Sequence, residues 1–323
     1  MAHPNEWSAD HLADRRRLRR RLTWWRVLAA VAVLTAIGAV SWRAAGVSPG
    51  AAHIARISID GVITGDEATL KMIGDIGRSQ AKAAIVTIES PGGTTTGAER
   101  LYDSIRKLRE KMPVVAVVRG MAASGGYIAA LGADRIVAQG NSLVGSIGVL
   151  FQFPNVGKLM DTVGVSLEEV KSSPLKAAPN GMGPTSPEAR AALQAIVDDS
   201  YAWFRDLVKE RRGMNDTELA VIADGRVFTG RQSVRLKLID QIGAEPDAIA
   251  WLEKDKNVTK DLPVRRWRTE RERGKVGILG FASGAAEAFG LPNVAEWAQK
   301  IATSVRYQPL DGLLSIWQAR VVD

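Results

Sequence analysis

The 323-residue chain contains no cysteine and only three histidines. Without cysteine there is no disulfide to staple the fold, no thiolate nucleophile and no Cys-ligated zinc site. The shortage of histidine excludes more. His3 and His11 precede an apolar run that starts at Leu22, and His53 follows it closely, so a Ser-His-Asp triad has almost nothing to be built from. The HExxH zinc signature is missing, as are a GxxxxGK[ST] phosphate loop and a GxGxxG fingerprint. No metal and no cofactor is therefore expected. The net charge of +8 would suit nucleic acid, but the basic residues concentrate in Arg15–Arg21 and Val264–Lys275, away from the glycine-rich centre. A nucleic-acid partner is not expected either.

What the sequence does have begins with that apolar run. Leu22–Trp42 carries one charge, Arg26, which can snorkel outward while Trp24 and Trp25 sit at an interface. The uncharged part approaches the ~17–25 residues that span a bilayer. A cleaved secretory signal also has a basic front and a short apolar stretch, with small residues such as Ala44, Ala45 and Gly46 at its end. The long, Trp-rich basic front favours a retained anchor. Under either reading six arginines ahead of the run, with Arg26 near its start, hold the N-terminus in the cytoplasm and the rest of the chain is exported. In a bacterium this is a single-pass protein of the inner membrane with a periplasmic or extracytoplasmic domain. Residues 1–21 then form a basic tail, 22–42 the anchor and 43–52 a linker.

The exported part alternates strand and helix signals. IARISI (Ile54–Ile59) alternates like a half-buried strand, while AAIVTI (Ala83–Ile88) and PVVAVV (Pro113–Val118) are continuous apolar strands. Between the last two, Leu101, Ile105, Leu108 and Met112 share one helical face. Strand, helix and strand at this spacing make a βαβ unit of a largely parallel sheet, hence an α/β fold. SGGYIAALGAD reads as a short helix, Arg135–Ala138 as a strand, and SLVGSIGVLF (Ser142–Phe151) as a strand bent at its glycines. A loop rich in proline and glycine leads to a long helix over 187–212 and a shorter one near 217–223. The domain is placed at 53–255, and 256–323 at a less regular C-terminal extension in which Trp267, Trp297 and Trp317 suit a packed tail or partner contact.

Chemistry is sparse. In MAASGGYIAA, Ser124 stands among small residues on a tight turn opening a helix, a common way to present a nucleophile. ESPGGTTTGAE, Glu89–Glu99, lies between a strand and a helix, where glycines let backbone N–H groups point into a cavity and stabilise an oxyanion. An ordinary βα turn also favours Pro-Gly-Gly. With only three histidines, none well placed, a lysine is left as the base for Ser124, a known variant that requires burial or nearby positive charge to populate the neutral amine. The candidates are Lys158, Lys171, Lys176, Lys209 and Lys237. Lys176 differs in standing in an apolar, proline-bounded loop, SPLKAAP, and on these grounds balances the other four together.

The ordered set SPGG, MAASGGY, GSIGV, KSSPLK and DGRVFTGRQ, spread over 53–252, resembles the signal peptide peptidase A family of serine-lysine proteases in its short form. The resemblance implies a Clp-protease/crotonase-like fold of repeated ββα units that assembles as a homo-oligomer. It implies Ser124 as nucleophile and Lys176 as general base, a pair separated by 52 positions as in short-form members. It implies Gly93 as the oxyanion donor, with Gly92 shaping the turn, and Ser146 as the hydroxyl that orients the lysine. The family often has Asn or Asp at Glu89, a second aromatic at Ile128, and Gly and Asp at Ser173 and Ala177. The expected function is a membrane-anchored serine endopeptidase that degrades remnant signal peptides after preprotein processing. The partners would be signal peptides and other membrane-embedded peptides, and the lipid bilayer through the anchor. A crotonase-fold acyl-CoA enzyme and a non-catalytic membrane scaffold are the alternatives.

Overall fold

HIARISID alternates its side chains between two faces and forms β1 (His53–Asp60), a strand of the sheet that organises this computed structural model. The structure describes residues 51–270, Glu272, the strand Leu313–Ile316, and eight residues between Trp24 and Thr35. After β1 come α1 (Glu67–Ile76), capped by the Asp66 carboxylate on the Thr69 N–H, then β2 (Ala81–Ser90), β3 (Gly92–Thr94) and α2 (Thr95–Arg109). Next are β4 (Val114–Ala123), α3 (Gly125–Leu131), β5 (Arg135–Ala138), β6 (Leu143–Gly145), β7 (Leu150–Phe151) and α4 (Gly157–Val163). The long α5 (Pro187–Arg212) has Ser186 as its cap and proline in its first turn, and Gly213 closes it in the left-handed conformation. Then follow α6 (Asp216–Ile222), β8 (Val227–Thr229), α7 (Gly230–Arg235), β9 (Gln241–Ile242), α8 (Glu245–Asp255), β10 (Val264–Arg266) and β11 (Leu313–Ile316).

The main sheet runs β10-β1-β2-β4-β5-β9, with every one of these pairs parallel, as the βαβ pattern requires. β4 outruns β5, and its last residues pair instead with β6, which is itself antiparallel to β8. A separate small sheet has the order β3-β11-β7.

The two-residue period divides the core. Ala55, Ile57, Val86, Ile88, Ala116 and Val118 face α1, α2, α3 and α5, in a cluster with Ile73, Leu101, Ile105, Tyr127 and Phe204. Ile54, Ala83, Ile85, Val115, Val117 and Val137 face the other way, onto Ala248 and Leu252 of α8. Strands covered on both faces read as unbroken apolar runs, which is why AAIVTI and PVVAVV do so.

The sequence expectations hold for the class and most elements. One segment differs: SLVGSIGVLF is two strands separated by a turn, because Gly145 and Ser146 have φ of 108° and 54°, outside the extended region. The sheet also continues past residue 255, through β10, and Trp267 beyond it stacks on His53 at 6.0 Å and donates its indole N–H to His53 Nε2 at 3.1 Å. Trp297 and Trp317 lie outside the described residues, as do the tail over 1–21 and most of the expected anchor and linker. Among the described residues no helix is long and apolar enough to cross a membrane. The eight described residues from Trp24 to Thr35 are helical with exposed side chains.

Candidate active site

Ser124 stands where β4 ends and α3 begins, with φ 53° and ψ −117°. For a residue with a side chain this conformation costs on the order of 1–3 kcal/mol and persists only where neighbours enforce it. They do: the Ser124 N–H donates to the Gly145 carbonyl at 2.7 Å, and the Ser124 carbonyl accepts from the N–H groups of Tyr127 and Ile128 at 2.9 and 3.0 Å. All of α3 is buried, and the Tyr127 hydroxyl pins it to the Leu238 carbonyl at 2.8 Å. Burial pushes the Tyr127 phenol above its ordinary range, so it stays a donor. Ser124 itself is 1% exposed.

The second of the two glycines after Ser124 has a visible purpose. A Cβ on Gly126 would come within 2.9 Å of the Ser90 carbonyl, so only glycine lets the Ser124 turn rest on the SPGG loop. That contact joins two motifs that lie far apart in the chain. The loop is braced internally by Ser90, whose hydroxyl donates to the Gly61 carbonyl at 2.6 Å and accepts the Gly92 N–H at 3.1 Å. Sequence reasoning missed this serine, although a serine two residues before a turn N–H is a recognisable turn signature. Glu89 is also accommodated: its carboxylate reaches β4 and accepts the Gly120 N–H at 2.7 Å, where a Cβ on Gly120 would come within 2.6 Å of it.

Gly93 is more tightly constrained still. It forms a parallel bridge with Ile63, and a Cβ there would come within 1.8 Å of the Ile63 carbonyl oxygen. The bridge uses the residues on either side: Ile63 N–H donates to Gly92 O at 2.8 Å, and Thr94 N–H donates to Ile63 O at 2.9 Å. In an extended strand neighbouring residues aim their peptide groups at opposite sides, so the N–H and carbonyl of Gly93 face away from Ile63. An oxyanion donor needs this orientation.

Ser146 follows β6, whose Gly145 pairs with Ala123 at the end of β4. Its φ is 54°, it is buried, and its N–H is held by the Arg226 carbonyl at 2.8 Å. Sheet pairing thus brings the Ser146 turn beside the Ser124 turn.

The lysines fall into two groups. Lys171, Lys209 and Lys237 are committed to Glu169, Asp216 and Glu218, each at 2.6 Å. Lys158 and Lys176 make no ion pair among the described residues. Lys176 lies on an exposed turn, with its N–H on the Ser173 carbonyl at 3.1 Å and Ala177 at φ 56°. The structure therefore unites Ser124, Gly93 and Ser146 around the ends of β2, β4 and β6, and leaves Lys176 on the surface of the single chain.

Residues 106–259 match the model of peptidase family S49. A Synechocystis protein named as a protease is 38% identical over 200 residues, covering 61% of this chain and 72% of the relative. An Enterococcus faecium protein named as a signal peptide peptidase is 31% identical, covering 69% of this chain and 62% of its own length. The chloroplastic serine protease SPPA of Arabidopsis thaliana is 34% identical over 57% of this chain and 27% of the relative.

Proposed function

The chain belongs to peptidase family S49, and from that premise we propose that it is a serine endopeptidase in which Ser124 and Lys176 form the catalytic dyad, acting on remnant signal peptides at the bacterial inner membrane. The observation that carries the reading is the strained Ser124 turn seated on a glycine strand whose Gly93 N–H faces away from Ile63. The neutral Lys176 amine takes the Ser124 proton as the serine oxygen attacks a peptide carbonyl. Gly93 N–H receives the oxyanion, the resulting ammonium protonates the leaving amine, and water hydrolyses the acyl-serine with Lys176 again as base. Ser146 orients the lysine.

A base has to be sheltered from water, and Lys176 is exposed in the single chain. The arm that carries it also exposes Leu159, Val163, Val165, Leu167, Val170 and Leu175. Such a concentration of exposed apolar side chains on one segment suits a contact surface. Under the proposal a second copy covers it in a homo-oligomer of the Clp/crotonase-like kind, sheltering the lysine and closing an apolar cleft over the substrate. The exposed apolar residues Trp24, Trp25, Leu28, Val31 and Val33 on helical backbone suit a lipid environment for the N-terminal segment. Under the proposal the arginines at the front of that segment stay in the cytoplasm and the catalytic domain lies outside it.

The test is to incubate the purified full chain with a synthetic signal peptide and map the cuts, with Ser124→Ala alongside and a fluorophosphonate probe on both. Cleavage and labelling lost together in Ser124→Ala support the reading. A folded, oligomeric wild type that neither labels nor cleaves refutes it in favour of the membrane scaffold.

A further inference from the structure

The arm that carries Lys176 also holds the chain's one Asn-Gly pair, Asn180–Gly181. Asparagine is among the chemically labile residues, and Asn180 is exposed in the single chain. Its side chain is fixed at both ends: the Met182 N–H donates to Oδ1 at 3.0 Å, and Nδ2 donates to Glu169 Oε2 at 3.0 Å. The first bond closes an Asx turn, which folds the side-chain amide back over the peptide that follows it. An N–H on Oδ1 also draws electrons from the Cγ carbonyl and would stabilise an oxyanion formed there. The next nitrogen belongs to a glycine, with no side chain to hinder its approach to Cγ. The fold insists on that glycine: Gly181 has φ 73°, and a Cβ there would come within 2.4 Å of the Pro154 carbonyl oxygen. Asn155, on the same arm, supplies the comparison. It too is exposed and closes an Asx turn, Oδ1 accepting the Gly157 N–H at 3.0 Å. Its successor is Val156, whose branched side chain crowds the nitrogen.

We propose that Asn180 is a self-modification site, and that its slow deamidation is a timer that releases the arm and ends turnover. The Gly181 nitrogen bonds to Asn180 Cγ, the Cγ–Nδ2 bond breaks, and the Gly181 amide proton leaves with Nδ2 as ammonia. Water then opens the cyclic imide at either carbonyl, giving aspartate or isoaspartate at 180. Both products lose the donor to Glu169 and gain a carboxylate beside it, so like charges replace a hydrogen bond. Isoaspartate also lengthens the main chain by a methylene, which displaces Gly181, whose carbonyl accepts the Val156 N–H at 2.8 Å. These bonds tie the second half of the arm to the chain entering α4, and Lys176 lies just upstream of them. The loss of turnover rests on the peptidase reading; the modification itself does not.

The full-length wild type and Asn180→Gln, whose longer side chain closes such a ring far more slowly, are held at mildly alkaline pH beside a synthetic hexapeptide of sequence Ala178–Gly183. Aliquots are digested for mass spectrometry, probed for isoaspartate and assayed on a signal peptide. The wild-type fragment containing Asn180 is expected to gain about 1 Da, the change from amide to acid, with Asn155 unchanged. Turnover should fall in proportion to the fraction converted, while Asn180→Gln keeps its starting rate. No gain at Asn180 by the time the hexapeptide is wholly converted, or a gain at Asn155 first, overturns the site. A converted chain that keeps full turnover, or an Asn180→Gln that declines as fast as wild type, overturns the timer. A chain that converts Asn180 but cleaves nothing from the outset overturns the peptidase reading, and the timer with it, and leaves the modification site standing.

Discussion

The sharpest test of the site is Gly93→Ala. The added methyl would sit 1.8 Å from the Ile63 carbonyl oxygen, 2.5 Å from its carbon and 2.6 Å from the Ile63 nitrogen, all of them backbone atoms with no rotamer to escape into. Real Cβ contacts are not found below 3.0 Å, so the strand or its neighbour must give by more than an ångström. The two bonds of the Ile63 bridge cannot survive that unchanged, at roughly 1 kcal/mol each. The chemical effect is larger than the structural one. A displacement of about 1 Å in a reacting group costs on the order of 100-fold, and loss of one oxyanion donor about 100- to 1,000-fold in kcat. We therefore expect Gly93→Ala to fold, to lose about 2 kcal/mol of stability, and to turn over a signal-peptide substrate about 100- to 1,000-fold more slowly with KM little changed. Gly164→Ala is the control. Gly164 has φ 71° and open space around the position of a Cβ, so that variant bears backbone strain alone and keeps wild-type kcat. Steady-state kinetics beside a thermal melt separates the two effects. Wild-type kcat in a folded Gly93→Ala would refute the assignment of Gly93 as donor.

Three further outcomes follow from the same geometry. Tyr127→Phe leaves the Leu238 carbonyl without its donor and should cost about 1–3 kcal/mol. Since burial raises the folded-state phenol above its unfolded value of about 10, the wild type holds this stability below that pH and loses it above. Melting midpoints through the alkaline range should fall by about one proton's slope more steeply for wild type than for the Phe variant; equal slopes would count against it. Lys176→Ala, at a position exposed in the single chain, should leave the melting temperature unchanged while abolishing turnover. An active Lys176→Ala beside an inactive Ser124→Ala would move the base elsewhere. On the same arm, the Lys171 hydrogen bond holds the Glu169 carboxyl below its usual range. Its contribution is present above the ordinary carboxylate pKa of about 4.3 and lost as pH falls through the depressed folded value. Limited proteolysis of residues 157–186 should accelerate on acidification in wild type and not in Glu169→Gln, which lacks the titrating group.

Local chemistry made some of this legible. The apolar runs at 83–88 and 113–118 read as buried parallel strands because helices cover both faces, and the proline and glycine bracketing 187–212 mark the ends of α5. Pairing was not legible. Nothing in GSIGV states that Gly145 and Ser146 leave the extended region to meet Ser124 N–H and the Arg226 carbonyl, since those partners lie 21 and 80 positions away in the sequence. The lysine shows the same division. Composition leaves three histidines, none well placed, so a lysine is the expected base, and loop character separates Lys176 from lysines such as Lys209, which is bound to a carboxylate. Whether that lysine is sheltered is a property of the surface over it, and a single chain supplies no such cover at 176. C-terminal placement is the extreme case: LDGLLSIWQ carries apolar residues but no periodicity that says against which strand they lie. Only the register with Gly92–Thr94 shows that segment to be a strand beside β3. The residues that a sequence can name are thus those whose role is set by their own backbone or by what the composition lacks. Those it cannot name act through partners brought to them by the sheet.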